Sequence, residues 1–429
     1  MSHSDRSQLR HRNLLRTLYR PRNYIAFCLE AFFGSFGMTM FSYLTVLPGY
    51  IQHLNDNGLF ISLLTIITYL GNYGLMILSC TQSVNKAKVK WAYLACTFTI
   101  RVGLAGIFVS SLLIQRSSSL ALGITLLAFS LYNVALGLSN PLYTALVSRT
   151  ILTGLSSFFG SYMFISAAAG VLSSQVVRIV LDRFAFPLCY QILFGIGALT
   201  AFLAVAAMAI LVKELPEDVP SSPMTFRQLP GTMIGFVKKS ASYRAFLLVR
   251  IFTAVGEMAM PFYIVQVSTF SFATPGLVGT LSMIMLLSQA LFSKFWGWLG
   301  EKKGPVTILA LNCALGCTAV VLVTFARSAL LSYLLFVMVG AIVNGINITL
   351  NLASIQYAVP RMMPIMSSTS GLIVAPVVSV FSLLAGVLDK QFGTGSIFLL
   401  AGLGFGCALL LALTRLKAQY CAPEDRVGQ

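Results

Sequence analysis

Twelve apolar stretches, each about long enough to cross a hydrocarbon core as a helix, follow one another through the 429 residues, and they constrain this chain more than any motif in it. A bilayer core takes about 20 residues of helix at 1.5 Å rise per residue. The stretches fall at roughly 24–50, 58–80, 90–114, 119–146, 154–178, 187–212, 245–268, 275–298, 305–325, 329–356, 364–388 and 394–414. They lack the period-two alternation of a membrane barrel, so helices are expected. Composition agrees: 57% of residues are apolar and 10% charged, against roughly 45–50% and about a quarter in soluble domains. A water-soluble enzyme is excluded, as are disordered and fibrous chains. The expected class is an all-α polytopic membrane protein with twelve transmembrane helices.

Charge gives the orientation. A net +17 would point to nucleic acid in a soluble protein. Here Lys and Arg sit in loops beside apolar stretches, and no nucleic-acid partner is expected. With the N-terminus inside and charges near the ends of stretches given to the nearer side, 22 of the 29 Lys and Arg fall on the inner side and 5 on the outer, while Arg101 and Arg250 lie within spans. That bias places both termini in the cytoplasm of a multi-pass cell-membrane (plasma or inner-membrane) protein. The basic tail (Arg6, Arg10, Arg12, Arg16, Arg20, Arg22) precedes a stretch too long for a signal h-region, so the first helix is retained. The three His lie in tails and loops, and no metal site is expected. The eight Cys include no C-x-x-C pair and read as small hydrophobes. No phosphate-cradling Gly-Lys-Ser/Thr loop is present, so neither ATP nor any other cofactor is implied. A monomer is expected.

The one long link, KELPEDVPSSPMTFRQLPGTMIGFVKKSAS at 213–242, carries four prolines and charges of both signs. It divides the chain into a basic tail (1–23), a first six-helix bundle (24–212), a central cytoplasmic loop (213–242), a second bundle (243–415) and a tail (416–429). The bundles repeat. A shift of 219 superposes Tyr24 on Tyr243, Phe33 on Phe252 and Gly37 on Gly256; a shift of 211 superposes Asn133 on Asn344, Asn140 on Asn351 and Gly160 on Gly371. Six spans is an even number, so the two repeats share one orientation.

The link after the eighth stretch reads GWLGEKKGPV: Gly297, Gly300, Glu301, Lys302, Lys303 and Gly304. With the parallel six-helix repeats, it makes the chain resemble a major facilitator superfamily transporter, whose signature loop combines glycines, an acid and basic residues after an even-numbered helix. The equivalent first-half link, TQSVNKAKVK, keeps Lys86, Lys88 and Lys90 but has no acid and no Gly. The resemblance implies a gating loop in which Glu301 and its basic neighbours form charge pairs to helix ends that hold one conformation; a plain positive-inside turn is the alternative. Two patterns of that superfamily's drug/proton antiporters are missing: helix 4 has Tyr132 and Asn133 but no mid-span Arg, and helix 5 reads FISAAAGVLSSQ without Gly-Pro.

Charges inside a bilayer mark functional positions by default. Of twelve acids only Glu30 and Glu257 lie within spans. Glu257 falls near the midplane of helix 7, on one face with Thr253 and Arg250 at i, i+3 and i+7. The repeat pairs it with Met38, beside the Ser35, Thr39 and Ser42 face of helix 1. Glu257 and Arg250 are therefore candidates for substrate or proton coupling. Arg101, mid-span in helix 3, is a candidate anion site. Glu30 points away from the polar stripe and is expected to pair structurally with Arg101 or Arg250. Asn344, Asn347 and Asn351 line one face of helix 10, and Asn133 and Asn140 one face of helix 4; they contact substrate or hold helices together. Trp296 and Trp298 read as interfacial anchors.

The resemblance implies a secondary transporter moving a small solute by alternating access, with proton coupling as one source of energy. A transport-inactive sensor or partner-binding protein on the same fold is the alternative. A membrane-embedded enzyme has little material, with two buried acids and no intramembrane His.

Overall fold

The computed structural model describes residues 3–151, 155–216, 226–325, 327–357 and 363–415. The first stretch forms α1 (His3–Thr39) and α2 (Val46–Leu54), and the second α3 (Gly58–Thr68), a π-helical turn at Tyr69–Gly74, and α4 (Ile77–Asn85). There follow α5 (Lys90–Leu112), α6 (Ser118–Thr150), α7 (Leu155–Arg183) and α8 (Leu188–Leu211). A short α9 (Leu229–Lys239) leads into α10 (Ala241–Glu257), α11 (Met260–Ser268), α12 (Leu277–Lys303), α13 (Pro305–Phe325), α14 (Ala329–Tyr357), α15 (Met363–Phe392) and α16 (Thr394–Arg415). Eleven helical segments among the described residues are long and apolar enough to span a bilayer, which makes this a multi-pass membrane protein. The twelfth expected span, the first stretch, is not among them; its helix breaks after Thr39 and restarts at Val46.

Two groups of helices are packed internally and meet along a seam. In the first, α1 packs on α7 and α8, and α5 on α6 and α8; in the second, α10 packs on α16, α15 and α13, and α12 and α13 on α14. The seam is made by α7 against α12 and by α3 with its π-helical turn against α15.

Close approach inside each group rests on glycine. A Cβ on Gly37 of α1 would stand 2.6 Å from the Gly197 carbonyl of α8. A Cβ on Gly404 of α16 would stand 2.9 Å from the Gly256 nitrogen of α10. Gly37 and Gly256 are partners under the 219 shift, so first-to-last helix contact is built the same way in both groups. Both helices also break just past these glycines. After Thr39 the backbone turns through Met40 N to Gly37 O (3.1 Å) and Phe41 N to Met38 O (3.1 Å) before α2 begins.

The second break coincides with a proline. Pro261 lies in the first turn of α11, where its missing N–H costs nothing; inside a continuous helix it would crowd the carbonyl four residues back, that of Glu257. The expected single helix 7 over 245–268 is two helices, α10 and α11. It is also the most enclosed span: 83% of its most apolar window is buried, against 39–56% elsewhere.

Candidate coupling site at the broken seventh helix

The break leaves Glu257 as the last residue of α10, 6% exposed. Arg250, two turns earlier and 2% exposed, reaches along the same face to it. The guanidinium grips the carboxylate with two nitrogens: Arg250 Nη1 donates to Glu257 Oε1, and Nη2 donates to Oε2 at 3.1 Å. Such a planar fork holds a buried carboxylate better than a point charge. A third donor comes from the other helix group: Tyr69 Oη, at the start of the π-helical turn, donates to Glu257 Oε2. Glu257 thus joins the two groups across their seam.

Beside this network lies a cavity of about 20 Å³, lined by Tyr69, Tyr73, Arg250, Ser370, Gly371, Leu350 and Val374. A Cβ on Gly371 would come within 3.0 Å of Tyr73 Cβ, so this glycine lets α15 approach the π-helical turn. Two buried polar atoms here, Arg250 Nε and Ser370 Oγ, have no hydrogen-bond partner among the described residues. Ser370 is 3% exposed. Unsatisfied donors at this depth are uncommon and costly.

The other sequence candidates lie elsewhere or turn to structural partners. Arg101, 3% exposed, donates through Nε to the Ala201 carbonyl at 3.0 Å and through Nη1 to the Thr97 carbonyl at 3.4 Å. Glu30 accepts from Tyr162 Oη at 2.9 Å and also feels the charge of Arg101, one of its two expected partners. Asn133 donates to its own helix at Phe129 O, 2.9 Å, and Asn140 donates to Asn72 Oδ1 of the π-helical turn, 2.9 Å. Both amides therefore fasten backbone and helices. Asn344 Oδ1 has no partner among the described residues, Asn347 is exposed, and the side chain of Asn351 lies outside the described residues.

In the GWLGEKKGPV link, α12 continues through Lys303 and Gly304 ends it at φ 80°, ψ 170°, a conformation that glycine alone adopts readily. Gly304 N donates to Gly300 O at 2.9 Å, and Pro305 opens α13 at once. Gly297 faces open space, and Lys302 lies 4.7 Å from the Trp298 ring centre. Lys303 is exposed. The Glu301 side chain lies outside the described residues. Trp296 corrects one expectation: it is 1% exposed and donates Nε1–H to Ala341 O at 2.9 Å, because it faces α14 rather than the membrane edge. Trp298, 52% exposed, keeps the edge position.

The first-half link lacks an acid of its own, and one arrives from a distance. Glu214, after α8, accepts from Val89 N at 2.9 Å and from Lys90 N at 2.7 Å, so its carboxylate caps the N-terminus of α5. Arg149 at the end of α6 reaches Glu214 at 3.5 Å and donates to the Ser83 and Lys86 carbonyls at 2.8 and 2.9 Å. Spacing in sequence could not reveal this, since 125 residues separate Glu214 from Val89. Tyr69 escaped for another reason: a tyrosine in an apolar stretch carries no charge signal. Two glycines within YLGNYG were the available hint of irregular helix.

No family model matches the chain, and no curated protein matches it in sequence. Solved structures match it in shape. A mutant form of the nucleoside transporter NupG is similar with a TM-score of 0.73 over 93% of this chain and 100% of that one, at 12% identity. A POT family transporter in complex with 5-aminolevulinic acid is similar at TM-score 0.67, covering 92% of this chain and 96% of that one at 14% identity. A POT peptide transporter in complex with alafosfalin matches at TM-score 0.67, covering 94% and 96% at 13% identity. Whole-length similarity at such low identity is a likeness of architecture, and with the paired glycine crossings and matched helix breaks it establishes that this chain has the major facilitator fold.

Proposed function

We propose that this protein is a secondary transporter that moves a small solute across a cell membrane by alternating access, with residues 24–212 and 243–415 as the two moving halves, both termini in the cytoplasm, and Glu257 as the coupling acid. The observation that carries the reading is the buried Arg250–Glu257 pair at the break of the most enclosed helix, tied across the seam by Tyr69. An ionised pair buried within a membrane protein carries a desolvation cost, and such charges mark functional positions by default. A carboxylate that can exchange a cationic partner for a proton gives a gradient a handle on the seam, because releasing Arg250 and Tyr69 loosens one group from the other. The similar solved structures include nucleoside and peptide transporters, which supports a small polar solute.

The test is uptake into proteoliposomes holding the full chain, with an inward proton gradient, over a panel of nucleosides, dipeptides and small organic acids. Gradient-dependent accumulation of at least one panel member above protein-free liposomes is expected. Equal flux with and without protein across the whole panel counts against transport.

A further inference from the structure

The cavity beside the ion pair is not symmetric in charge. Arg250 lines it and Glu257 does not; among the described residues no acidic side chain lines it at all. Arg250 Nε–H and the Ser370 hydroxyl, both on nearly fully buried side chains, have no partner among the described residues. The guanidinium gives its two other nitrogens to Glu257 and is itself part of the cavity wall. The rest of the wall is two tyrosines, Leu350, Val374 and Gly371. About 20 Å³ holds one or two water-sized groups, the scale of an anionic head.

Resting on the transport reading of this same site, we infer that the solute is a small organic monoanion, a carboxylate with an apolar or aromatic body, taken up together with one proton. With the site closed, Arg250 (+1) and Glu257 (−1) sum to zero. A carboxylate that accepts hydrogen bonds from the Arg250 guanidinium and Ser370 Oγ–H displaces Glu257, whose carboxylate takes one proton from the medium. The sum is again zero, with Arg250 cationic, the solute anionic and Glu257 neutral, so no net charge enters the low-dielectric interior. A cationic solute would need the acid, which the cavity wall does not present. The ionisable groups that face Glu257 from neighbouring elements are Tyr43 beyond α1, Tyr69 and Tyr73 in the π-helical turn, and Cys313 in α13, besides Arg250 on its own helix. None of these adds a second cation, so the stoichiometry is one anion and one proton.

The experiment uses the purified full chain in detergent, probed with acetate, butyrate, benzoate and phenylacetate, and with the matching amides and amines. Thermal unfolding and proton uptake in weakly buffered solution are read together. Carboxylates should raise the melting temperature with concentration, with one proton taken up per anion bound; the amides and amines should do neither. Ser370→Ala should weaken carboxylate binding several-fold, and Glu257→Gln should bind carboxylate without taking up a proton. Stabilisation by amines or amides as strong as by carboxylates overturns the assignment, as does carboxylate binding without proton uptake in the unmodified protein, or no binding by any carboxylate. An amine accumulated in a Glu257-dependent way would overturn the anion class and leave transport standing. Carboxylates that bind with proton uptake yet never cross a proteoliposome would do the reverse.

Discussion

Helices 1 and 7 occupy equivalent places and break at equivalent points, yet they are chemically unlike. Each passes a glycine that touches the last helix of its own group, Gly37 on Gly197 and Gly256 on Gly404, and each is interrupted one to three residues later. Each break also reaches the other group: Thr45 accepts a hydrogen bond from Ser282 Oγ at 2.8 Å, and Glu257 accepts one from Tyr69. Helix 1 makes its link with two neutral hydroxyls. Helix 7 makes it with a carboxylate backed by a guanidinium. Under the 219 shift the counterparts of Arg250 and Glu257 are Ala31 and Met38. The backbone device needs no charge, as helix 1 demonstrates, so the pair in helix 7 is not there to make the break.

Giving helix 7 the chemistry of helix 1 tests this most severely. Arg250→Ala alone strands a buried carboxylate and should cost about 3–5 kcal/mol of stability, measured by equilibrium unfolding in detergent. Adding Glu257→Met, which completes the conversion, should recover most of that loss. A double variant as unstable as the single would show that the pair is itself a structural requirement.

The next effect concerns a charge whose role is packing. Glu214→Gln keeps the shape of the cap on α5 but loses ionic hydrogen bonds, at about 1.5–3 kcal/mol. Unlike the helix 7 pair, this loss should accompany reduced stability at every proton gradient and leave the solute-to-proton ratio unchanged. Substituting the glycine crossings should cost similar amounts in both halves: Gly37→Ala and Gly256→Ala each about 1–3 kcal/mol through overpacking. Gly406→Ala, which meets nothing within 4 Å, is the neutral control. A large difference between Gly37→Ala and Gly256→Ala would break the equivalence of the two crossings. Tyr69→Phe removes a donor to the ionised Glu257 and should cost about 1.5–3 kcal/mol while loosening the seam, read as greater cysteine accessibility around the cavity.

The mildest change lies outside the spans. His53 in α2 stacks on Phe186 at 4.7 Å between ring centres, and this partial burial lowers its pKa from the ordinary 6.5 while Asp56 opposes the shift. The folded state then binds the proton less readily than the unfolded one. The contribution is fully present above about pH 6.5 and is lost as pH falls through the lowered folded value. His53→Gln should flatten that slope in a melting-temperature profile from pH 7.5 to 5.

Much of this was readable from residues alone. Apolar stretches of span length located the helices, and the helical spacing of Arg250, Thr253 and Glu257 put the later ion pair on one face. The repeat offset singled out Gly37 and Gly256, whose contacts the fold then supplied. What escaped depended on contacts between distant segments. Tyr69 meets Glu257 across 188 residues, and Glu214 serves a helix end 125 residues away. Charge suggests that Glu30 and Arg101 pair; their charges do interact, while their hydrogen bonds go to a tyrosine hydroxyl and to backbone carbonyls that the sequence does not point to.

Whether the charge in helix 7 couples solute to proton is decided by Glu257→Gln in proteoliposomes, with accumulation under a proton gradient and solute exchange at equilibrium measured on the same preparation. Glutamine keeps the shape of the protonated acid and cannot release a proton. Exchange should therefore persist while gradient-driven accumulation disappears. Accumulation against a gradient with unchanged pH dependence in the Gln variant would remove Glu257 from the coupling mechanism.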